Sequence, residues 1–129
     1  MAELIGIDHV QLVIPVGRED AAREFYGTLL GLAEVPKPAA LRDRGGCWFA
    51  GPGIAIHLGV EEPFMPARKA HVALLVNDLE ALRRRLTEAG VTIRVDDADI
   101  GVRRFHAFDP FGNRLEFVDR RDGGFTTRT

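Results

Sequence analysis

The sequence contains no serine, and among its 129 residues it has one cysteine, one tryptophan and one tyrosine. The absence of serine excludes a hydrolase that uses a serine nucleophile. Because Cys47 is the only cysteine, an intrachain disulfide is impossible and the chain fits a reducing compartment. The sequence also lacks a glycine-rich phosphate loop followed by lysine and a dinucleotide-binding fingerprint, so neither class of nucleotide site is indicated.

Long hydrophobic runs are missing as well. No stretch approaches the roughly 18 uninterrupted apolar residues of a membrane helix, and no basic segment followed by an apolar run indicates a signal peptide. We therefore expect a cytoplasmic protein without a membrane partner. The formal net charge of -2 gives no reason to expect nucleic acid binding. Hydrophobic and charged contents of 46% and 28% are typical of globular proteins.

Two segments of the chain are near copies of each other. Residues 9–14 read HVQLVI, and residues 71–76 read HVALLV. Each copy is followed by apolar residues at helical spacing and then by three strand-like segments. Each half therefore predicts the order strand, helix, strand, strand, strand. Since about 60 residues alone would bury only a marginal core, we expect the halves to pack together or against a partner chain.

These patterns predict a single domain over residues 1–129, of the α+β class. Module 1 is predicted over about 7–60, a linker over 61–69, module 2 over about 70–119, and a loose tail over 120–129. The two βαβββ modules, in tandem, are expected to form a curled mixed sheet with the helices outside.

Local signals predict several individual elements. Apolar spacing predicts a helix over Glu19–Leu30, whereas the proline and the arginines of Lys37–Arg44 predict a loop. Asn77 or Asp78 is expected to cap the second helix. Asp96–Gly101 is expected to form a polar loop.

Strand alternation places four ionisable residues at matching points of the two modules. His9 and His71 begin the first strands, and His57 and Glu116 lie in the last strands. Period-two counting puts all four on the sheet face away from the helices. Imidazole and carboxylate groups together suit Fe(II), Mn(II), Ni(II), Co(II) or Zn(II). Taken singly, each histidine has an alternative interpretation as an ordinary core or pocket residue.

The turn between the last two strands decides where His106 points. If Asp109 pairs with Asn113 across that turn, His106 lies on the inward face. It then stands opposite Glu116, whereas a shift of one residue would make it an exposed strand histidine. We favour the inward register, in which two further residues share the face of His106, namely Arg104 and Phe108.

Further candidates lie in the first half of the chain. Gln11 follows His9 by two residues, so it is expected to point into the same pocket, although any polar strand residue shows this pattern. Trp48 is a candidate pocket wall or a core residue. Cys47 is a candidate nucleophile near His57, but we favour a small buried cysteine in a strand.

The repeated halves resemble the vicinal oxygen chelate superfamily, which contains glyoxalase I enzymes, extradiol dioxygenases, fosfomycin-resistance transferases and bleomycin-resistance proteins. The resemblance covers about Ile7 to Asp119 and is specific for the fold, whereas this superfamily hosts several chemistries. The segments that carry it are Asp8–Leu12, Ala22–Leu32, Ala70–Leu74 and Asp109–Phe117.

The resemblance implies that His9, His71 and Glu116 bind a divalent metal ion, whose identity among Fe, Mn, Ni, Co and Zn stays open. His57 stands where glyoxalase I enzymes usually have a glutamate, which argues against that assignment and places His57 next to the metal or as a fourth ligand. His57 and His106 are the first candidates for proton transfer. The expected substrate contacts are Gln11, Trp48, Arg104 and Phe108.

The function implied by the resemblance is that of a metal-dependent enzyme. Its metal would bind two neighbouring oxygens of a small-molecule substrate and act as a Lewis acid in lyase, isomerase or dioxygenase chemistry. The alternative is a metal-free small-molecule binding protein, similar to bleomycin-resistance proteins, in which the histidines form hydrogen bonds. A homodimer is expected, since relatives pair modules within a chain or across two chains. The substrate and the need for a thiol cosubstrate stay open.

Overall fold

A computed structural model of the chain describes residues 1–95, 98 and 100–124. The chain divides into two compact units, unit 1 (Met1–Met65) and unit 2 (Pro66–Thr129). Each unit contains a four-stranded mixed sheet and follows the order strand, helix, strand, strand, strand. This arrangement confirms the predicted α+β fold with tandem βαβββ modules. Within the described part of the chain, every helix is too short or too polar to cross a membrane.

Unit 1 forms its sheet from four strands. Its strands and helix are β1 (Val10–Ile14), α1 (Glu19–Ala22, continued by a π-helix at Arg23–Leu29), β2 (Ala33–Val35), β3 (Cys47–Gly51) and β4 (Ile54–Val60). The strand order is β1-β4-β3-β2, with β1 parallel to β4 and the other pairs antiparallel. Tyr26 of the helix and Phe49 of β3 are both buried, with ring centroids 5.9 Å apart, and they form part of the core of the unit.

The helix of unit 1 has the predicted position but a different geometry. Only Glu19–Ala22 is α-helical, and beyond it the backbone N–H of Leu30 donates to the carbonyl of Phe25 at 2.9 Å. A bond to the fifth preceding residue defines a π-helix. Apolar residues three and four positions apart are compatible with both geometries over two turns, so the sequence pattern could not distinguish them.

The segment predicted as a loop, Lys37–Arg44, contains a 3-10 helix at Ala39–Arg44. Its first bond runs from the N–H of Leu41 to the carbonyl of Pro38 at 2.9 Å. A 3-10 turn requires only such local bonds and no apolar period, which is why hydrophobic spacing did not reveal it.

Unit 2 repeats the plan. Its elements are β5 (Val72–Val76), α2 (Leu79–Glu88), β6 (Ile93–Arg94), β7 (Arg104–Phe108) and β8 (Arg114–Asp119), followed by a 3-10 helix at Arg120–Asp122. The strand order is β5-β8-β7-β6, and β5 is parallel to β8. Asp78, one of the two predicted caps, accepts a hydrogen bond from the N–H of Ala81 at 3.0 Å. Leu82 and Leu86 form the buried stripe of α2, which packs against β6 and β8.

Parts of two predicted segments lie outside the described residues. In the predicted polar loop Asp96–Gly101 these are Asp96, Asp97 and Asp99, and in the predicted tail they are residues 125–129. The described beginning of the tail forms the short 3-10 helix that follows β8.

The turn between β7 and β8 has the predicted pairing. The N–H of Asp109 donates to the carbonyl of Asn113 at 3.0 Å. The buried Asp109 carboxylate in turn accepts hydrogen bonds from the backbone N–H groups of Phe111 and Asn113, at 2.9 and 2.8 Å. This turn sets the register in which His106 lies opposite Glu116, so the inward register is confirmed.

Candidate functional site

Three ionisable side chains of unit 2 converge on one face of its sheet and are called here the His–Glu cluster: His71, His106 and Glu116. Their ligand atoms all lie within 4.8 Å of one another. Oε1 of Glu116 is 3.0 Å from Nε2 of His71 and 3.6 Å from Nε2 of His106. Two ligands bound to one ion at about 2.1 Å stand roughly 3.0 Å apart at a right angle and about 3.4 Å apart at a tetrahedral angle. The separation of His71 and Glu116 therefore matches two ligands of a single metal ion, and His106 lies next to this pair.

The ring of His71 is oriented by the backbone. Its Nδ1 lies 2.7 Å from the carbonyl oxygen of Lys69, and because a carbonyl only accepts, Nδ1 must carry the hydrogen. In the neutral ring, Nε2 then presents a lone pair to Oε1 of Glu116. Two acceptors 3.0 Å apart require a cation between them, either a proton on Nε2 or a metal ion. Metal-binding histidines usually donate their second nitrogen in this way.

Glu116 is an ionised carboxylate in a buried position, with 8% of the residue exposed. Burial alone would raise its pKa, but the hydrogen bonds with His71 and Arg104 outweigh burial and hold the pKa below its usual value. Nη1 of Arg104 donates to Oε2 at 3.2 Å. Glu116 is thus deprotonated at neutral pH, as a metal ligand must be.

His106 is the most buried member of the cluster, at 1% exposure. Burial lowers its pKa, and the charge of Arg114 lowers the pKa further, against the opposite effect of Glu116. Its imidazole is therefore neutral at pH 7 and available as a ligand or a proton acceptor. Nδ1 of His106 is buried and has no hydrogen-bond partner among the described residues, which distinguishes this ring from that of His71.

Two predicted substrate contacts share β7 with His106. Arg104 lies next to the cluster, through its bond to Glu116. Phe108 is half-buried, and the guanidinium carbon of Arg94 lies 5.2 Å from its ring centroid, a cation–π distance. Alternation along the strand places Arg104, His106 and Phe108 on the same face.

The other predicted site residues lie in unit 1, where three rings form an aromatic stack: Trp48, His57 and His9. The centroids of Trp48 and His57 are 3.7 Å apart with planes 2° from parallel, and those of His57 and His9 are 4.0 Å apart at 19°. Burial lowers the pKa of His57, and His9 adds to this effect. An imidazole binds metals in its own plane, so two nearly parallel rings cannot bind one ion together. In this arrangement His57 is not a co-ligand of His9.

His9 shares one feature with His71. Its Nδ1 lies 2.7 Å from Oδ2 of Asp8, a contact that lowers the pKa of that carboxyl group. A carboxylate–histidine pair of this kind leaves Nε2 as the ligand atom. Gln11 stands opposite His57 in the register of β1 and β4.

The groups that orient these rings were missed by sequence reasoning. Lys69 contributes only a backbone carbonyl, which no side-chain pattern reveals. Asp8 directly precedes His9, so a search for acids adjacent to candidate ligands would have found it. The bond from Arg104 to Glu116 depends on side-chain rotamers, although both residues were predicted to share a face.

Comparisons with known proteins agree with this architecture. The family model of the Glyoxalase/Bleomycin resistance protein/Dioxygenase superfamily matches residues 6–117. Among solved structures, a proposed glyoxalase family protein from Bacillus anthracis is 45% identical, with a TM-score of 0.87 over 92% of this chain and 98% of that one. No curated protein matches the chain significantly.

More distant structures share the fold. TnmS3, an antibiotic binding protein from Streptomyces sp. CB03234, is 24% identical with a TM-score of 0.66, covering 90% of this chain and 98% of its own. The fosfomycin resistance protein FosX from Listeria monocytogenes is 13% identical with a TM-score of 0.68, covering 91% and 92%. At these identities the likeness concerns the fold alone.

Proposed function

Because the chain belongs to the Glyoxalase/Bleomycin resistance protein/Dioxygenase superfamily, we propose that it binds a divalent metal ion in unit 2 and uses it on a small substrate. The proposal rests on one observation. Nε2 of His71 faces Oε1 of Glu116 at 3.0 Å while Nδ1 of the same ring is held by a carbonyl. His71 and Glu116 are the proposed ligands, and His106 is the adjacent candidate. His9 stays a predicted ligand.

The donor set of imidazole and carboxylate suits Fe, Mn, Ni, Co or Zn. When bound, such a metal supplies a Lewis acid that binds neighbouring oxygens and stabilises an oxyanion, in lyase, isomerase or dioxygenase chemistry. Glu116 brings a negative charge to the site, and although burial alone would raise its pKa, the hydrogen bonds with His71 and Arg104 hold that pKa below its usual value. His106, buried and neutral, is placed to accept a proton beside the carboxylate.

The remaining predicted roles are retained as proposals. His57, whose pKa lies below its usual value, is the second candidate for proton transfer. Arg104 and Phe108 in unit 2, and Gln11 and Trp48 in unit 1, are proposed substrate contacts.

A metal-free binding protein is the second candidate function. It is favoured by the pairing of Glu116, whose two oxygens already contact His71 and Arg104. If Nε2 of His71 carries a proton, this network is satisfied without a metal ion. The histidines would then be pocket hydrogen-bonding groups.

Metal content separates the two functions. The wild type, Glu116→Ala and the control Glu88→Ala, an exposed glutamate on α2, would be purified without chelators and reloaded with Fe(II), Mn(II), Ni(II) and Zn(II). We expect about one metal per chain in the wild type and the control and far less in Glu116→Ala. A folded wild type that takes up no metal would reject the enzyme proposal and favour the binding protein.

We also propose a homodimer. Three large apolar residues close together in the sequence are almost fully exposed in the isolated chain: Leu4 at 102%, Ile5 at 97% and Ile7 at 84%. An apolar segment of this kind often belongs to an interface. Light scattering should give twice the 14.2 kDa chain mass, and the mass of one chain would reject the dimer.

A further inference from the structure

Unit 1 contains a cavity of about 190 Å³ that includes two of the proposed substrate contacts but no residue of the His–Glu cluster. Its lining includes one aromatic side chain, Trp48, one amide, Gln11, and two cations, Lys37 and Arg44. We propose that this cavity binds a small planar organic anion, such as an aromatic carboxylate. The ring of the ligand lies against Trp48, and its anionic group lies at Lys37 and Arg44. The site uses residues of unit 1 alone and needs no metal.

The aromatic wall of the cavity belongs to a stack of three rings. His57 covers one face of the Trp48 indole at 3.7 Å, and His9 stacks behind His57. Trp48 is half-buried, and its side chain also lines the cavity. A ring already held in place loses little entropy when a ligand stacks on it, and aromatic pairs add attraction beyond their buried area.

The two cations are available to an anion. Arg44 is exposed and makes no hydrogen bond or ion pair within the described chain, so its planar fork can bind a carboxylate. Lys37 donates one hydrogen of its ammonium to the carbonyl of Gly45, which leaves two donors. The described lining includes no acidic residue to compete with the ligand. The carboxylate of Glu19 lies beside Gly45 of the lining and accepts a hydrogen bond from the N–H of Gly46 at 2.8 Å.

The segment that carries the two cations leads into a closely packed position at Gly46. Gly46 adopts a φ of +83°, and a Cβ there would lie 2.0 Å from the carbonyl oxygen of Leu58, so the backbone packs tightly on β4. Nε2 of Gln11 would lie 2.9 Å from a Cβ on Gly59, which shows that this amide covers Gly59 directly. A cavity built in this way favours binding because ordering costs are already met.

The cavity volume limits the ligand. At about 190 Å³ it is smaller than the roughly 300–1,000 Å³ of sites for drug-sized ligands. We therefore expect a ligand with a single ring rather than a large antibiotic.

Trp48 is the only tryptophan, so its fluorescence reports on this cavity directly. Chelator-treated wild type would be titrated at constant pH with benzoate, with benzamide as the neutral analogue and with acetate as the anion without a ring. We expect saturable quenching by benzoate and roughly tenfold weaker binding of the two analogues, measured by calorimetry where quenching is small. Absent or unsaturable benzoate binding would overturn the proposal, and so would equal binding of benzamide.

A pair of variants tests the role of Arg44. Arg44→Gln should weaken benzoate binding by about tenfold. The control Arg42→Gln alters the same 3-10 helix at a residue that does not line the cavity, and it should bind as the wild type does. Circular dichroism checks that both fold. Wild-type affinity in Arg44→Gln would refute the anion site. Because the metal is removed beforehand, failure of metal binding in unit 2 leaves this result unaffected.

Discussion

Nε2 of His71 lies 3.0 Å from Oε1 of Glu116, although Nδ1 of the same ring already donates to the carbonyl of Lys69. When the imidazole is neutral, the two facing atoms are both acceptors, so a cation must stand between them. A proton can fill this role without metal, and a divalent ion would fill it in the loaded protein. Metal binding and proton release are therefore linked.

Loading with Zn(II) in mildly acidic buffer is expected to release protons, because a histidine nitrogen must be unprotonated to bind a metal ion. Affinity should fall as the pH drops below 6.5, because burial lowers the pKa of His106 from that value and its ring must be neutral to bind a metal ion. Glu116 does not cause this loss, since its pKa is already lowered and it stays ionised there. Calorimetry in buffers of different ionisation enthalpy measures the release, and a heat independent of the buffer would contradict it.

His106→Ala is expected to weaken metal binding by roughly 10–100-fold, because Nε2 of His106 lies 3.6 Å from the same oxygen that faces His71. His57→Ala is the matched control. The ring of His57 is stacked nearly parallel to that of His9, so these two rings cannot bind one ion together. This variant should keep its metal. Should His9→Ala lose the metal while His106→Ala retains it, the third ligand is His9, as the family resemblance implies.

The thiol of Cys47 is expected to be unreactive in the folded chain. Burial raises its pKa to about 11, so at pH 8 the thiolate is about a hundredfold scarcer than in the unfolded chain. Alkylation by iodoacetamide should therefore be slower, by at least that factor, in the folded chain than in the chain unfolded in urea. Because the folded chain favours the protonated thiol, Cys47 also makes the free energy of unfolding depend on pH. Its contribution to stability is fully present below the unfolded pKa of 9.0 and is lost as the pH rises through the folded pKa of about 11. Equal rates in both states would restore Cys47 as a candidate nucleophile.

Gly46→Ala should destabilise unit 1 strongly, because a Cβ there meets the Leu58 carbonyl at 2.0 Å and φ is +83°. Gly53→Ala is the control, with a φ of +72° and nothing within 4 Å. The control should cost about 1–2 kcal/mol from backbone strain alone, and Gly46→Ala at least about 2 kcal/mol more. Urea titration measures the difference in the free energy of unfolding. Equal midpoints for the two variants would contradict the prediction and would show that the backbone at Leu58 moves to accommodate the added Cβ.

Some of these features were accessible from sequence and others were not. The pairing of Asp109 with Asn113 and the position of His106 opposite Glu116 followed from turn chemistry and strand alternation. The π-helix at Arg23–Leu29 did not, because its apolar spacing is shared with an α-helix.

By itself the sequence determined the order of elements, the repeat of two modules and the sheet face on which the ionisable residues lie, because these depend on short-range periodicity. Only the tertiary structure decided that His57 stacks between Trp48 and His9 and that Arg104 reaches Glu116. Side-chain rotamers depend on neighbours that are distant in sequence, and periodicity carries no information about them.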